Sequence, residues 1–285
     1  MNCGFQNGGH PRNVVFVAVA MLIAAAPCSF TQDKSKGDKA AAKEALAHLK
    51  EELGVNQFTT PSIETVLAAL QQIKPLAYDK AARDLPDSAP SDRVRIALNT
   101  GSLIAEGFLA VAAEKQSRLD DIGRLLIRHA KGLGVSDHIT RHSKSILEKG
   151  AAKDWGGIRA ELVATQRDVE KAMMALKDEE IAHLVALGGW TRGLEISATL
   201  VGEQYSADRA AIIVQAPVLD YFIERVDTLN PTLKKMQIFT LVATNLAAIR
   251  GLAIKDGGVP PTAEELQKIR HLAGAVITAI GAPEE

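Results

Sequence analysis

Asp178–Tyr205 (DEEIAHLVALGGWTRGLEISATLVGEQY) reads as one long helix with an acidic start, and it carries Arg192 and Glu195 within a largely apolar run. A helix that is apolar on nearly all sides belongs in the interior of a protein. Working outward, no stretch of the chain alternates β-branched with polar residues over the length of a strand. Alanine, leucine and isoleucine supply most of the apolar content, and aromatic residues make up only 4%. Such a core favours closely packed helices over a sheet. The expected fold is all-α with no β-sheet: a single compact multi-helix bundle of about eight to ten helices over residues 42–282, mostly antiparallel because the connectors are short.

Punctuation residues set the expected helix boundaries. A helix over 42–53 puts Leu46, Leu49 and Leu53 on one face and stops at Gly54, and a second runs from Ser62 through Ile73 to Pro75. The proline-containing loop Asp84–Asp92 precedes a long helix from Ser91 to about Ala113. Ser117 with Asp120 suggests a capping box for a helix that ends at Gly132/Gly134, and Ser136 suggests a cap for one that ends at Gly150. Asp154 opens a stretch through Leu176. Beyond 178–205, helices at 207–215 and 217–228 flank Pro217, and Asn230-Pro231 opens 231–254. Thr262 with Glu265 caps the last helix. Three segments echo one another: EGFLAV (106–111), RGLEIS (192–197) and RGLAIK (250–255). Their glycines are 86 and 58 residues apart, so there is no regular repeat.

The N-terminus carries the targeting information. Residues 14–26 (VVFVAVAMLIAAA) are unbroken apolar sequence, about 20 Å of helix, which is too short for the ~30 Å hydrocarbon core and suited to an export signal. Residues 1–28 are therefore expected to be an export signal and 29–41 a flexible polar linker. Cleavage after Ala26 would leave Pro27 first, whereas cleavage after Cys28 avoids this. Lipidation of Cys28 and an uncleaved anchor are the alternatives. Cys3 and Cys28 are the only cysteines, so the body of the chain has no disulfide, thiol nucleophile or thiolate ligand. Removing 1–28 takes Arg12 from 33 basic residues and leaves 32 against 34 acidic, a net charge of −2. With no dense basic run, this argues against a nucleic-acid partner or electrostatic docking on an anionic membrane.

Chemistry is sought first among the charges embedded in apolar helices: Glu106 in GSLIAEGFLAVAA, Arg192 after ALGGWT, and Arg250 after NLAAI. A buried carboxylate needs a partner, so Glu106 is expected to meet Arg192 or Arg250. Ala97, Gly101 and Ala105, at i, i+4 and i+8, together with the glycine beside each charge, would let neighbouring helices approach closely. Asn99, Ser102 and Glu106 share one helix face. Trp190 and Glu195 flank Arg192. If these faces met, they would make a small-ligand pocket with one aromatic wall; otherwise Trp190 fills a gap left by glycines. His138 and His142 lie one turn apart, with Asp137 adjacent and His129 on the preceding helix. They form a candidate metal pair, although they lack the glutamate of H-E-x-x-H. Glu180-x-x-His183 is half of a di-iron motif whose second half is missing. The chain has no Walker loop, C-x-x-C-H or G-x-S-x-G motif, and no cofactor is expected.

The functional expectation is an exported, soluble, non-enzymatic binding or structural protein of the cell envelope. It would engage a protein or small-molecule partner, with no membrane span in the mature chain. The alternative is a metal-dependent or acid/base enzyme that uses His138/His142 or a Glu106-centred pocket.

Overall fold

The computed structural model describes residues 73–87, 90–213 and 215–282. The export run, Cys28, the linker, the helix expected at 42–53 and residues 62–72 of the helix expected from Ser62 through Ile73 lie outside these residues; Ile73 itself is not helical. All described regular structure is helical: α1 (Tyr78–Ala81), α2 (Arg93–Ala112), α3 (Gln116–Leu133), α4 (Ser136–Ala151), α5 (Trp155–Ala175), α6 (Glu179–Glu203), α7 (Ala207–Ile213), α8 (Ala216–Asp227), α9 (Pro231–Lys234), α10 (Gln237–Ala253) and α11 (Ala263–Gly281), with a 3₁₀ turn at Asp256–Gly258. The all-α expectation holds, with nine helices of seven residues or more and two single turns among the described residues.

Connectors of two or three residues join α2 through α6, so each helix folds back on its predecessor. Four successive helices end in the same way. The backbone N–H groups of Lys115, Val135, Asp154 and Asp178 reach back to the carbonyls of Ala110, Ala130, Lys149 and Met173. This closure places a left-handed residue after each helix: Gly134 (φ 80°), but also Glu114, Lys153 and Lys177 (φ 55°, 56° and 57°). Gly150, the expected stop, is instead a site of close approach, since a Cβ there would lie 2.2 Å from the Gln116 side-chain nitrogen. The caps also depart in part from expectation. Asp92, Asp154, Asn230 and Thr262 cap as their chemistry dictates, Thr262 in a full capping box with Glu265. Ser117 and Ser136 do not, because their helices start two residues and one residue earlier, respectively, than a serine cap requires. Asn230-Pro231 opens only the single turn α9, and α10 starts afresh at Gln237.

The most extensive packing is between α2 and α6. α6 also packs on α11 and α5, while α10 packs on α11 and α8. α2 is long and apolar enough to cross a membrane, but 94% of its apolar window is buried inside the bundle, which is the position of a core helix. Glycine makes the α2–α6 contact. A Cβ on Gly101 would lie 1.9 Å from the Val185 carbonyl oxygen, and one on Gly188 would lie 2.0 Å from that of Leu98. The two backbones therefore touch directly, with fully buried Ala97 and Ala105 one turn to either side of Gly101.

Gly101→Ala and Gly188→Ala should each destabilise the protein by about 3 kcal/mol or more, since backbone rather than a side-chain tip must move. Gly251→Ala, where a Cβ meets nothing within 4 Å, should be neutral or stabilising by up to about 1 kcal/mol. Urea denaturation of the three variants checks this, and equal effects would refute the backbone contact.

Candidate ligand cavity and buried ion chain

Glu106 and Arg192 meet across the α2–α6 contact. The Arg192 guanidinium donates to Glu106 Oε1 from Nε at 2.8 Å and from Nη2 at 2.5 Å. Its Nη1 donates to Glu195 Oε2 at 2.7 Å, and Nη2 also reaches the Ala81 carbonyl. Arg192 is 1% exposed and Glu106 4%, so neither charge is shared with water. The chain of charges continues at both ends. Arg83 donates to Glu195 Oε1 at 2.6 Å from Nη2 and to both oxygens from Nε. It also donates to the Gly274 carbonyl and the Thr278 hydroxyl of α11. On the other side, Arg118 Nη2 stands 3.8 Å from Glu106 Oε2 and donates to the Arg83 carbonyl. The order Arg118–Glu106–Arg192–Glu195–Arg83 alternates in sign and carries one net positive charge.

This chain staples the non-helical segment after α1 onto α2, α6 and α11. A cavity of about 530 Å³ lies between segment 82–86, α2 and α11. Asn99, Ser102 and Glu106 all line it, as their shared helix face predicts, together with Arg83, Asp84 and Thr278. Asn99 spends its amide hydrogens on the Arg95 and Ile280 carbonyls. The Ser102 hydroxyl makes no hydrogen bond among the described residues. Glu106 Oε2 and Arg118 Nε are buried without a hydrogen-bond partner.

The other expected site residues are placed elsewhere. Arg250 is a correction: α10 carries it on an exposed surface, where it pairs with Asp220 of α8, remote in the contact pattern from Glu106. Trp190 lies outside the cavity wall and packs on Phe222 with ring centroids 5.3 Å apart, the gap-filling role. Glu180 caps Asn230 through its backbone and side-chain nitrogens, while His183 faces the Tyr221 hydroxyl at 2.6 Å, so the Glu-x-x-His pair diverges. His142 is buried between two carboxylates of α5, Glu161 at Nδ1 (2.6 Å) and Asp168 at Nε2 (3.0 Å). Both ring nitrogens are therefore engaged. The His138 side chain lies outside the description. Among the described residues, no group of three or more His, Cys, Asp or Glu side chains is arranged to hold a metal ion. Burial pushes the Glu161 and Asp168 carboxyls up, but the bonds from His142, with Ser145 and Lys149 on Glu161 and Arg141 near Asp168, outweigh it and hold both below the usual range.

His129 is fully buried beneath α2. The Thr100 hydroxyl donates to the Ile96 carbonyl and so accepts from His129 Nδ1–H at 3.2 Å, leaving Nε2 as a lone pair without a partner. Burial, with the Arg128 charge second, pushes the imidazole down to about 4.

Arg83 and Arg118 were not legible as site residues. The only available signal was arithmetic, because Glu106 and Glu195 flank one arginine and two buried carboxylates need more than one cation. Comparisons with protein-family models, curated proteins and solved structures gave no match.

Glu106→Gln should cost about 3–5 kcal/mol, because it leaves Arg192 buried without its counter-charge. A loss below 1 kcal/mol in urea titration would remove the chain from the stability argument. Acid sensitivity has a separate origin. An unfolded histidine binds a proton near pH 6.5, while folded His129 resists protonation to about 4. Stability should therefore fall as pH drops through this window, by about 3 kcal/mol in full. The depressed Glu161 and Asp168 contribute stability above the usual carboxylate range that is lost at lower pH. His129→Phe should flatten the stability curve between pH 6.5 and 5, and an unchanged slope would exclude His129 as its source.

Proposed function

We propose that this chain is an exported, non-enzymatic binding protein of the cell envelope that takes a small molecule in the cavity between α2, α11 and segment 82–86. The observation that carries the reading is Glu106. A costly buried carboxylate sits in the cavity wall with one oxygen held by Arg192 and the other without a hydrogen-bond partner, beside an unengaged Ser102 hydroxyl. That second oxygen has only the Arg118 guanidinium near it, at 3.8 Å, a looser pairing than the hydrogen bonds that hold the first. A cavity of this size, with apolar side chains such as Leu103 and Ile277 and a few convergent polar groups, has the make-up of a small-molecule site. Export rests on the 14–26 run and on cysteines confined to its neighbourhood. A metal-dependent or acid/base role for His142 draws no support, because its ring is committed to Glu161 and Asp168.

Two measurements test the proposal. Mass analysis of the secreted or membrane-associated protein should show an N-terminus processed near Cys28, with or without lipid. A thermal-shift screen of small metabolites should find compounds that stabilise the wild type and not Ser102→Leu, which projects a bulky apolar side chain into the cavity, by about 2.7 kcal/mol at a hundredfold excess over Kd. Hits that act equally on both proteins would place binding elsewhere.

A further inference from the structure

We propose that a second cavity, formed where α2 stops and α5 starts, binds a small carboxylic acid with an apolar body, and that Lys74 and Arg159 take its carboxylate. This cavity of about 440 Å³ shares no lining residue with the one described above, so the inference stands independently of the role proposed there. Its position follows from the fold. α2 ends at Ala112 and the chain turns at Glu114, whose left-handed backbone closes that helix end. The first turn of α5 brings Trp155 and Arg159 to the same space, and Ile73, Lys74 and Leu76 line it from the segment before α1.

Arg159 carries the argument. It is half-buried, and its side chain makes no ion pair or hydrogen bond among the described residues. Lys74, an exposed residue of the same lining, makes none either. Arg128 and Arg167 likewise lack a partner, but both are exposed, where water takes that place. A guanidinium withdrawn in part from water loses hydration that an acceptor must replace, and a carboxylate matches its geometry best. Glu114 is the one carboxylate among the described lining residues and pairs with neither cation, which leaves an excess of one positive charge. That excess favours an anion over a neutral or cationic compound of the same shape. The remaining wall is apolar. Ile73 and Val111 are buried, and Leu76 and Trp155 are half-buried against the core. One indole and three aliphatic side chains suit an aryl or alkyl body, which an inorganic anion lacks.

The test uses the two tryptophans of the chain, Trp155 at this cavity and Trp190 in the core. In the full-length Trp190→Phe variant, fluorescence reports Trp155 alone, and calorimetry on the wild type measures the same affinities without that substitution. The probes are benzoate, phenylacetate and octanoate, with benzyl alcohol as a neutral counterpart and inorganic phosphate as an anion without an apolar body. At least one carboxylate should bind and change Trp155 emission, with benzyl alcohol and phosphate about tenfold weaker or silent. Replacing both cations, Lys74→Gln with Arg159→Gln, should weaken the carboxylate by about tenfold or more in protein that circular dichroism shows to be folded. Ser102→Leu, in the other cavity, should leave this binding unchanged. Binding that survives loss of both cations, or that Ser102→Leu abolishes, would overturn the assignment, as would equal binding of benzyl alcohol or phosphate. No binding of any carboxylate to folded wild-type protein would overturn it as well, and would leave the outcome at the first cavity unaffected.

Discussion

The direct backbone contact between α2 and α6 is the constraint on which the rest of the molecule depends. Gly101 and Gly188 let carbonyl oxygens of the facing helix occupy the space of a missing Cβ. At that separation, side chains about one turn further along reach each other across the seam. Glu106 lies five residues beyond Gly101 and Arg192 four beyond Gly188, so the tight glycine contact delivers the ion pair. Any added carbon in the seam would push the two helices apart and stretch charge-assisted bonds whose strength depends on short range.

Charge burial on this scale is rarely a source of net stability, because removing ions from water costs more than a simple pair returns. Here the cost is distributed over five alternating charges and over backbone carbonyls of Ala81, Arg83 and Gly274. What the arrangement provides is position. Segment 81–86 has almost no regular structure of its own, yet it is tied to three long helices and forms one wall of the cavity. Here the network fixes segment 81–86 in place and with it one wall of the cavity.

Much of the helical frame was legible because its signals are local. Asp154, Asn230 and Thr262 act through hydrogen bonds to nitrogens two or three residues away, so their sequence neighbours suffice to identify them, whereas the helix expected from Ser91 is capped one residue later by Asp92. The i, i+4, i+8 spacing of Ala97, Gly101 and Ala105 likewise announced the seam, and the face shared by Asn99, Ser102 and Glu106 announced one wall of the cavity. The partners of these residues were harder to read. Arg192 and Arg250 have the same local setting, a charge before glycine in an apolar helix, and differ only in where their helices lie. α6 runs through the core, while α10 turns this part of its surface outward, so Arg250 finds Asp220 instead. Arg83 sits in a non-helical stretch where no periodicity marks it, and Arg118 lies in the first turn of α3, where Ser117 and Asp120 suggested only a cap. Three of the αL helix stops fall on Glu114, Lys153 and Lys177, residues that local preference would not choose.

The run of short connectors from α2 to α6 also has a kinetic consequence. Hairpins between successive helices close small loops, which is fast, whereas Arg83 and Glu195 are 112 residues apart and Glu106 and Arg192 are 86 apart. The helical hairpins are thus able to assemble before the ion chain exists, and segment 81–86 docks only once α2, α6 and α11 are in place. Once docked, the segment is held by charge-assisted bonds to Glu195 and Arg192, so its placement is the last step of assembly and a firmly fixed one.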